Sequence, residues 1–312
     1  MLVNGVWTEK WQPVQAKDQQ GRFLRETATF EGRIENPHDL LGGRYTLYVT
    51  YICPWASRVL IARSLLGLTQ YLPVVIADPV LSDFGWQFSG NMGTSNENEA
   101  EVTYIHQLYS RSQPDYTGRA TVPVLWDNWR QKIVNNESSD ILQILNEDLR
   151  TIHRSEIDLR PNTLVSQIDS FNERTYHTLN NGVYRAGFAS SDLAYSEAVQ
   201  EVFETLDWLE EHFQTQKYAV ADQLTEADIR LFVTLVRFDL AYYGLFKTNI
   251  RRISEYPSLS HYLKRLLKRP EFAANTKPEH IKAGYYSIKA LNPSQRVPLG
   301  PDLDWLTLLE DS

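Results

Sequence analysis

RYTLYVTYICPWASRVLIARSLLGL, running from Arg44 to Leu68, is the stretch that decides the fold. Its first seven residues have the β-branched and aromatic character of a strand. From Ala56 to Leu68, Val59, Leu60, Ala62, Arg63 and Leu66 recur at helical spacing, and Gly67 falls near the end. Between the two lie Cys53 and Pro54, and proline is tolerated in the first turn of a helix because its missing N–H has no partner there anyway. A cysteine in that position has its sulfur beside unsatisfied N–H groups and the positive end of the helix dipole. Such placement lowers a thiol pKa and raises the thiolate fraction. The plainer alternative is a buried cysteine behaving as a small hydrophobe.

YLPVVI (71–76) reads as a second strand, with Pro73 marking an edge or early position. Residues 79–97 are rich in Gly, Ser, Asn and Asp and read as loop, and 98–110 fit a helix. TVPVLW (121–126) and QKIV (131–134) flank Asp127-Asn128-Trp129-Arg130 as a hairpin. Ser138 to Leu149 closes the set as a helix, with Ser138 its N-cap candidate. The order β-α-β-α-β-β-α over 44–149 matches a thioredoxin-like arrangement, whose first crossover should be right-handed.

From about 160 the period becomes 3.6. Leu164, Ile168, Phe171, Thr175 and Leu179 form one stripe, and Val199, Val202, Phe203, Leu206, Leu209 and Phe213 a second. Ile229, Phe232, Val236 and Leu240 give a third, Tyr262, Leu263, Leu266 and Leu267 a fourth. The expected fold class is α/β plus all-α. An extended arm (1–43, with aromatics Trp7, Trp11, Phe23 and Phe30) precedes a thioredoxin-like domain (44–150). A helical-bundle domain (160–290) and a tail (291–312) follow.

The chain's 312 residues suit about two domains at roughly 150 each. Hydrophobic residues at 42% and charged residues at 22% argue against a mostly disordered chain. Net charge is 31 − 39 = −8, which disfavours nucleic acid and anionic membranes as partners. The basic run Lys264, Arg265, Lys268, Arg269 reads as a solvated helix face. No run approaches the ~20 apolar residues of a membrane span, and the N-terminus lacks a basic segment followed by an apolar one, so a cytoplasmic protein is expected. The lone cysteine excludes an intramolecular disulfide and a multi-thiolate zinc site. His106 and His177 lack a second ligand at helical spacing, so no metal is expected. No Gly-Lys-Ser/Thr follows Gly42-Gly43 or Gly85, so no phosphate loop is read.

Three further motifs bear on chemistry. Pro123 in Thr121-Val122-Pro123-Val124 heads a strand where a cis bond would turn the Val122 backbone outward toward a peptide-like ligand; an edge-strand proline without a ligand is the alternative. In Asn135-Asn136-Glu137-Ser138-Ser139-Asp140, the Ser138 hydroxyl and helix N–H groups suit a carboxylate and Glu137 an ammonium, beside simple N-capping. Thr225-x-x-Asp228 opens an apolar helix as a capping box and is assigned to folding.

Together, Tyr51-Ile52-Cys53-Pro54-Trp55-Ala56, Thr121 to Asp127 and Asn135 to Ser138 resemble a glutathione transferase, and more narrowly the Xi class of S-glutathionyl-hydroquinone reductases. The second half is similar too, through Val183 to Ala189, Leu224 to Phe232, Leu235 to Asp239, Asn292-Pro293 and Val297 to Pro301; the likeness covers roughly 22–302. The resemblance implies Cys53 as nucleophile, Trp86 packing on glutathione, Val122 pairing with its cysteinyl backbone, and Glu137 with Ser138 holding its γ-glutamyl end. It implies Tyr184, Tyr242 and Tyr285 around the hydroquinone, with Arg237 near them, and a homodimer. Ser57 and Gly284 depart from it, standing where histidine is frequent, and Gly284 leaves Tyr286 as an alternative to Tyr285.

The implied reaction is reduction of a glutathionyl-hydroquinone by Cys53, through a mixed disulfide that a second glutathione resolves. With no second cysteine the resolving thiol must be external. The alternatives are an Omega-like thiol transferase or dehydroascorbate reductase, and a non-catalytic glutathione-binding protein.

Overall fold

The computed structural model describes residues 1–8, 16–153 and 155–309; Trp11 lies outside them. Two compact units divide these residues, one made of 1–8 with 27–157, the other of 16–26 with 158–309.

The first unit opens with a small hairpin, β1 (Leu2–Val3) and β2 (Val6–Trp7). There follow β3 (Tyr45–Val49), α1 (Pro54–Leu65), β4 (Val74–Ile76), α2 (Glu97–Ala100) and α3 (His106–Ser112). Then come β5 (Val124–Asp127), β6 (Lys132–Asn135) and α4 (Ser138–Gln143), which runs on as a π-helical turn, Ile144–Asp148. The sheet order is β4-β3-β5-β6. β3 is parallel to β4, with Val49 opposite Ile76, and antiparallel to β5, with Leu47 opposite Leu125. All five residues of β3 are buried, which is why the strand reads as continuously apolar and aromatic rather than alternating. The thioredoxin-like arrangement is therefore present.

Local differences from the sequence reading have local causes. The second strand covers only Val74–Ile76, since Pro73 has no N–H to offer a ladder and only its carbonyl is used, by the Leu47 N–H (3.0 Å). The single helix expected over 98–110 is two, because Glu101 turns left-handed (φ 58°). Gln107 Oε1 then accepts the Thr103 and Tyr104 N–H groups (both 2.9 Å) that a continuous helix would have used. The hairpin strands sit further along, at 124–127 and 132–135. Asp127 Oδ1 fixes the turn between them by accepting the Trp129 and Arg130 N–H groups (both 3.0 Å). The cap of α4 is Glu137, not Ser138, which is the first helical residue. Asn135 Oδ1 accepts the Glu137 N–H (2.7 Å) and holds Glu137 extended, so its own carboxylate takes the Ser139 N–H (3.1 Å).

The second unit is helical: α5 (Val165–Thr175), α6 (Gly182–Gly187), α7 (Asp192–Thr215), α8 (Glu226–Arg237), α9 (Tyr243–Leu245), α10 (Pro257–Leu267), α11 (Pro270–Ala273) and α12 (Pro278–Tyr286). π-helical turns extend α5 through Tyr176–Asn180 and α8 through Phe238–Tyr242. The stripes read from the sequence are buried from Ile168 to Leu267. The capping box is present: the Asp228 carboxylate accepts the Thr225 N–H (2.9 Å), the Ala219 N–H (2.8 Å) and the Tyr262 hydroxyl (2.9 Å). Burial pushes that carboxyl up to about 6, against the pull of these bonds.

The described arm is shared out. Residues 16–26 pack in the second unit, where Arg22 forms a two-pronged bond to Glu197 (2.9 and 3.0 Å) and Phe23 meets Phe188 at 5.9 Å. Residues 27–36 belong to the first, where Asn136 Oδ1 accepts the Phe30 N–H (3.0 Å) and the Val134 carbonyl accepts that of Gly32 (2.8 Å). Among the described residues no helix is long and apolar enough to cross a membrane, and no cluster of His, Cys, Asp or Glu could hold a metal.

Candidate active site

In the first unit β3 delivers the chain to Cys53, which is the N-cap of α1 in extended conformation (φ −75°, ψ 118°). The Cys53 carbonyl accepts the Ser57 N–H (3.0 Å), the first bond of the helix. Its side chain takes no cap bond and turns the thiol to the Val122 carbonyl, 3.6 Å away, with the sulfur half-buried. The Val122–Pro123 bond is cis. Strand-proline-helix geometry thus sets the thiol at a helix N-terminus, the position read from the sequence, and the fold adds the Val122 carbonyl opposite it.

Arg58, one turn further along α1, is buried; its guanidinium lies 4.4 Å over the Trp55 ring and donates to Ser138 Oγ (3.5 Å). It ties the thiol's helix to the start of α4. There Glu137 Oε1 accepts the Ser139 N–H (3.1 Å), the Ser139 hydroxyl (3.1 Å) and the Ser138 hydroxyl (3.3 Å). A carboxylate beside a helix N-terminus presents opposite polarities side by side, suited to a group carrying both an ammonium and a carboxylate. Trp86 stands apart on its loop, half-buried, after a tight turn closed by Ser82 and Gly85 (N–H to carbonyl, 3.1 and 3.0 Å). Its carbonyl accepts the Ile105 N–H (2.9 Å). Asp78 holds the far side of the loop through the hydroxyls of Ser89 and Thr94.

In the second unit three phenols meet. Tyr285 on α12 places its hydroxyl 2.6 Å from that of Tyr184 on α6 and 3.0 Å from that of Tyr242, at the end of the π-turn after α8. Tyr242 and Tyr285 are buried and Tyr184 half-buried. Burial, then the neighbouring Tyr184 phenol, raise Tyr242 and Tyr285 well above the ordinary tyrosine value; the Arg237 charge pulls the other way. Both are therefore neutral O–H groups near pH 7. Arg237 itself is buried and donates to the Val233 carbonyl of its own helix (2.8 Å). Of the two adjacent candidates on α12, Tyr285 is the one in the trio. Tyr286 carries its hydroxyl toward Gly244, where an added Cβ would stand 2.7 Å from it.

Phe246 was not singled out in the sequence, yet its ring packs on all three tyrosines, at 5.4, 5.2 and 5.7 Å from Tyr184, Tyr242 and Tyr285. Gly187 makes room for it, since any Cβ there would run into the Phe246 ring. An aromatic after a helix ordinarily reads as core, so no signal in one sequence marks it out. The pair Gly187 and Phe188 in Tyr184-Arg185-Ala186-Gly187-Phe188 was the nearest available hint.

The family models of the glutathione S-transferase N-terminal domain and C-terminal domain match residues 52–148 and 192–265. A glutathionyl-hydroquinone reductase, PcpF of Sphingobium chlorophenolicum, is 43% identical over 96% of both chains. A glutathione S-transferase omega-like 2 of Schizosaccharomyces pombe is 40% identical over 90% of this chain and 94% of its own. Among solved structures, the glutathione S-transferase Xi from Phanerochaete chrysosporium superimposes with a TM-score of 0.86 at 40% identity, covering 92% of this chain and 97% of that one. The glutathione-bound structure of YqjG from Escherichia coli gives 0.85 at 37%, covering 98% and 97%.

Proposed function

We propose, from the premise that this chain belongs to the glutathione S-transferase family and within it to the Xi class of glutathionyl-hydroquinone reductases, that it reduces glutathionyl-hydroquinones with Cys53 as nucleophile. It is an enzyme of that family, and glutathione is its co-substrate.

In the first half-reaction the Cys53 thiolate attacks the sulfur of the conjugate. A Cys53–glutathione S–S bond forms and the sulfur–ring bond breaks. Its electron pair goes to the ring carbon, which takes up a proton and leaves as part of the hydroquinone. The ring is reduced and the two sulfurs are oxidised. In the second half-reaction a glutathione thiolate attacks the mixed disulfide at the glutathione sulfur, releasing oxidised glutathione and the Cys53 thiolate. The helix N-terminus favours that thiolate. Trp86, the Val122 backbone, Glu137 and Ser138 are assigned to glutathione. Tyr184, Tyr242 and Tyr285 are assigned to the ring, donating O–H groups where charge develops, with Arg237 as their charged neighbour.

The observation that carries this reading is the Tyr285-centred chain of phenols (2.6 and 3.0 Å). A thiol at a helix start would serve any thiol transferase. Three phenols linked through hydrogen bonds to Tyr285 suit a substrate bearing ring hydroxyls. The likeness to an omega-like transferase supports a second reading, thiol transfer from glutathione disulfides.

Mass spectrometry of the protein mixed with a glutathionyl-hydroquinone, without free glutathione, separates them. One glutathione on Cys53 with free hydroquinone in solution is expected. An unmodified protein that still takes glutathione from oxidised glutathione would favour the omega-like reading. Reaction with neither would leave a glutathione-binding protein.

A further inference from the structure

The N-terminal hairpin touches the loop that carries Trp86 through the side chain of Trp7. The hairpin is fastened first. Leu2 and Gly118 exchange N–H to carbonyl bonds (3.0 and 3.1 Å), the Gly5 N–H reaches the Tyr116 carbonyl (2.9 Å), and Ser110 Oγ donates to the Gly5 carbonyl (3.1 Å). From that anchorage Trp7 meets the Ser82–Gly85 turn in two ways. Its indole Nε1 donates to the Asp83 carbonyl (3.1 Å), and its ring lies over Gly85, where an added Cβ would stand 3.1 Å from Cη2. Gly85 is also left-handed (φ 86°), so this is a place where glycine is required twice over.

The same turn is tied into a row of rings. Trp7 stacks on His106 at 4.6 Å and 19°, His106 stacks on Tyr104 at 5.5 Å, and Tyr104 meets Phe84 at 5.3 Å. The turn is thus held by Trp7 at Gly85 and, through Phe84, by the other end of that row. Trp86 is the next residue.

We infer that Trp7 is a positioning residue for Trp86, so that the first eight residues form a working part of the glutathione site. This rests on the reading of Trp86 as the residue that packs on glutathione. Trp7 acts by fixing the backbone from which Trp86 projects. A binding side chain on a loop free to sample other conformations loses affinity in proportion to the fraction correctly placed.

A double-mutant cycle on the full-length protein tests it, with the dissociation constant for glutathione read by calorimetry and amide exchange followed over 82–88. Trp7→Ala should weaken glutathione binding by roughly five- to tenfold and speed exchange in 82–88, while Trp7→Phe, which keeps the stack, should recover most of the affinity. Trp86→Ala should weaken binding at least as much, and Trp7→Ala added to Trp86→Ala should cost nothing more. Unchanged binding in Trp7→Ala, or losses that add in the double variant, would overturn the role of Trp7 while leaving that of Trp86 standing. Unchanged binding in Trp86→Ala would bring down the reading of Trp86, and with it this one. If Trp7→Ala does not fold, Trp7→Leu carries the same comparison.

Discussion

Cys53 has no second cysteine to turn to, so a mixed disulfide formed on it can be resolved only by an external thiol. Cys53→Ser should reduce deglutathionylation by roughly a thousandfold or more, since a serine hydroxyl cannot form the mixed disulfide. Stopped-flow release of hydroquinone measures this, and activity within a few-fold of wild type would remove Cys53 from the mechanism. The tyrosines make a separate prediction. Replacing Tyr184, Tyr242 or Tyr285 by Phe should slow conjugate reduction by about ten- to a hundredfold, most for Tyr285, whose hydroxyl touches both others. Glutathione affinity, read by calorimetry, should stay put; its collapse would break the assignment of ring and peptide to different side chains. At this scale the sequence was informative where a local rule operates. Strand, cysteine, proline and helix define the surroundings of Cys53 within a few residues. Phe246 and Gly187 obey no such rule, because what joins them is tertiary packing.

Between elements, the arrangement depends on features that a 3.6 periodicity does not record. Tyr242 ends a π-helical turn, where the wider spiral shifts the facing of every later residue relative to α8. The same holds for the run-on of α4, whose cap moved to Glu137 through one side-chain bond from Asn135. The packing of β1–β2 on α3 leads to a pH prediction. His106 lies in the ring stack with its imidazole held down to about 4, by burial first and then by the nearby charged amino terminus. Below its unfolded value of about 6.5 the unfolded chain binds a proton there that the folded chain refuses, so stability falls as pH drops from about 6.5 toward about 4 and then levels. His106→Phe should lack that part of the acid sensitivity. Melting temperatures of both proteins at pH about 7.5 and about 4.5 measure it, and the wild type should lose more. Equal losses would mean that the imidazole titrates as in water.

Over the whole molecule, the two-part design was legible because the hydrophobic period changes once, near 160. The fate of the arm was not. The sequence groups its aromatics as one extended arm, but Phe23 packs against Phe188 in the helical unit while the residues around Phe30 pack against Tyr109 and Asn136 in the other. Such partners lie between 79 and 165 residues away and leave no trace in local composition. Phe23→Ala should therefore cost about 3–5 kcal/mol of stability, as for a core phenylalanine. Urea unfolding followed by near-UV dichroism reads this, and a loss below about 1 kcal/mol would class the site as surface. The interleaving has a genetic consequence. A recombination crossover between two related genes at codons 157 and 158 would not exchange one module for another. The hybrid would set Arg22 and Phe23 of one parent against Glu197 and Phe188 of the other, so chimaeras in this class should survive or fail on the match of those four positions, however well each half suits its own active groups.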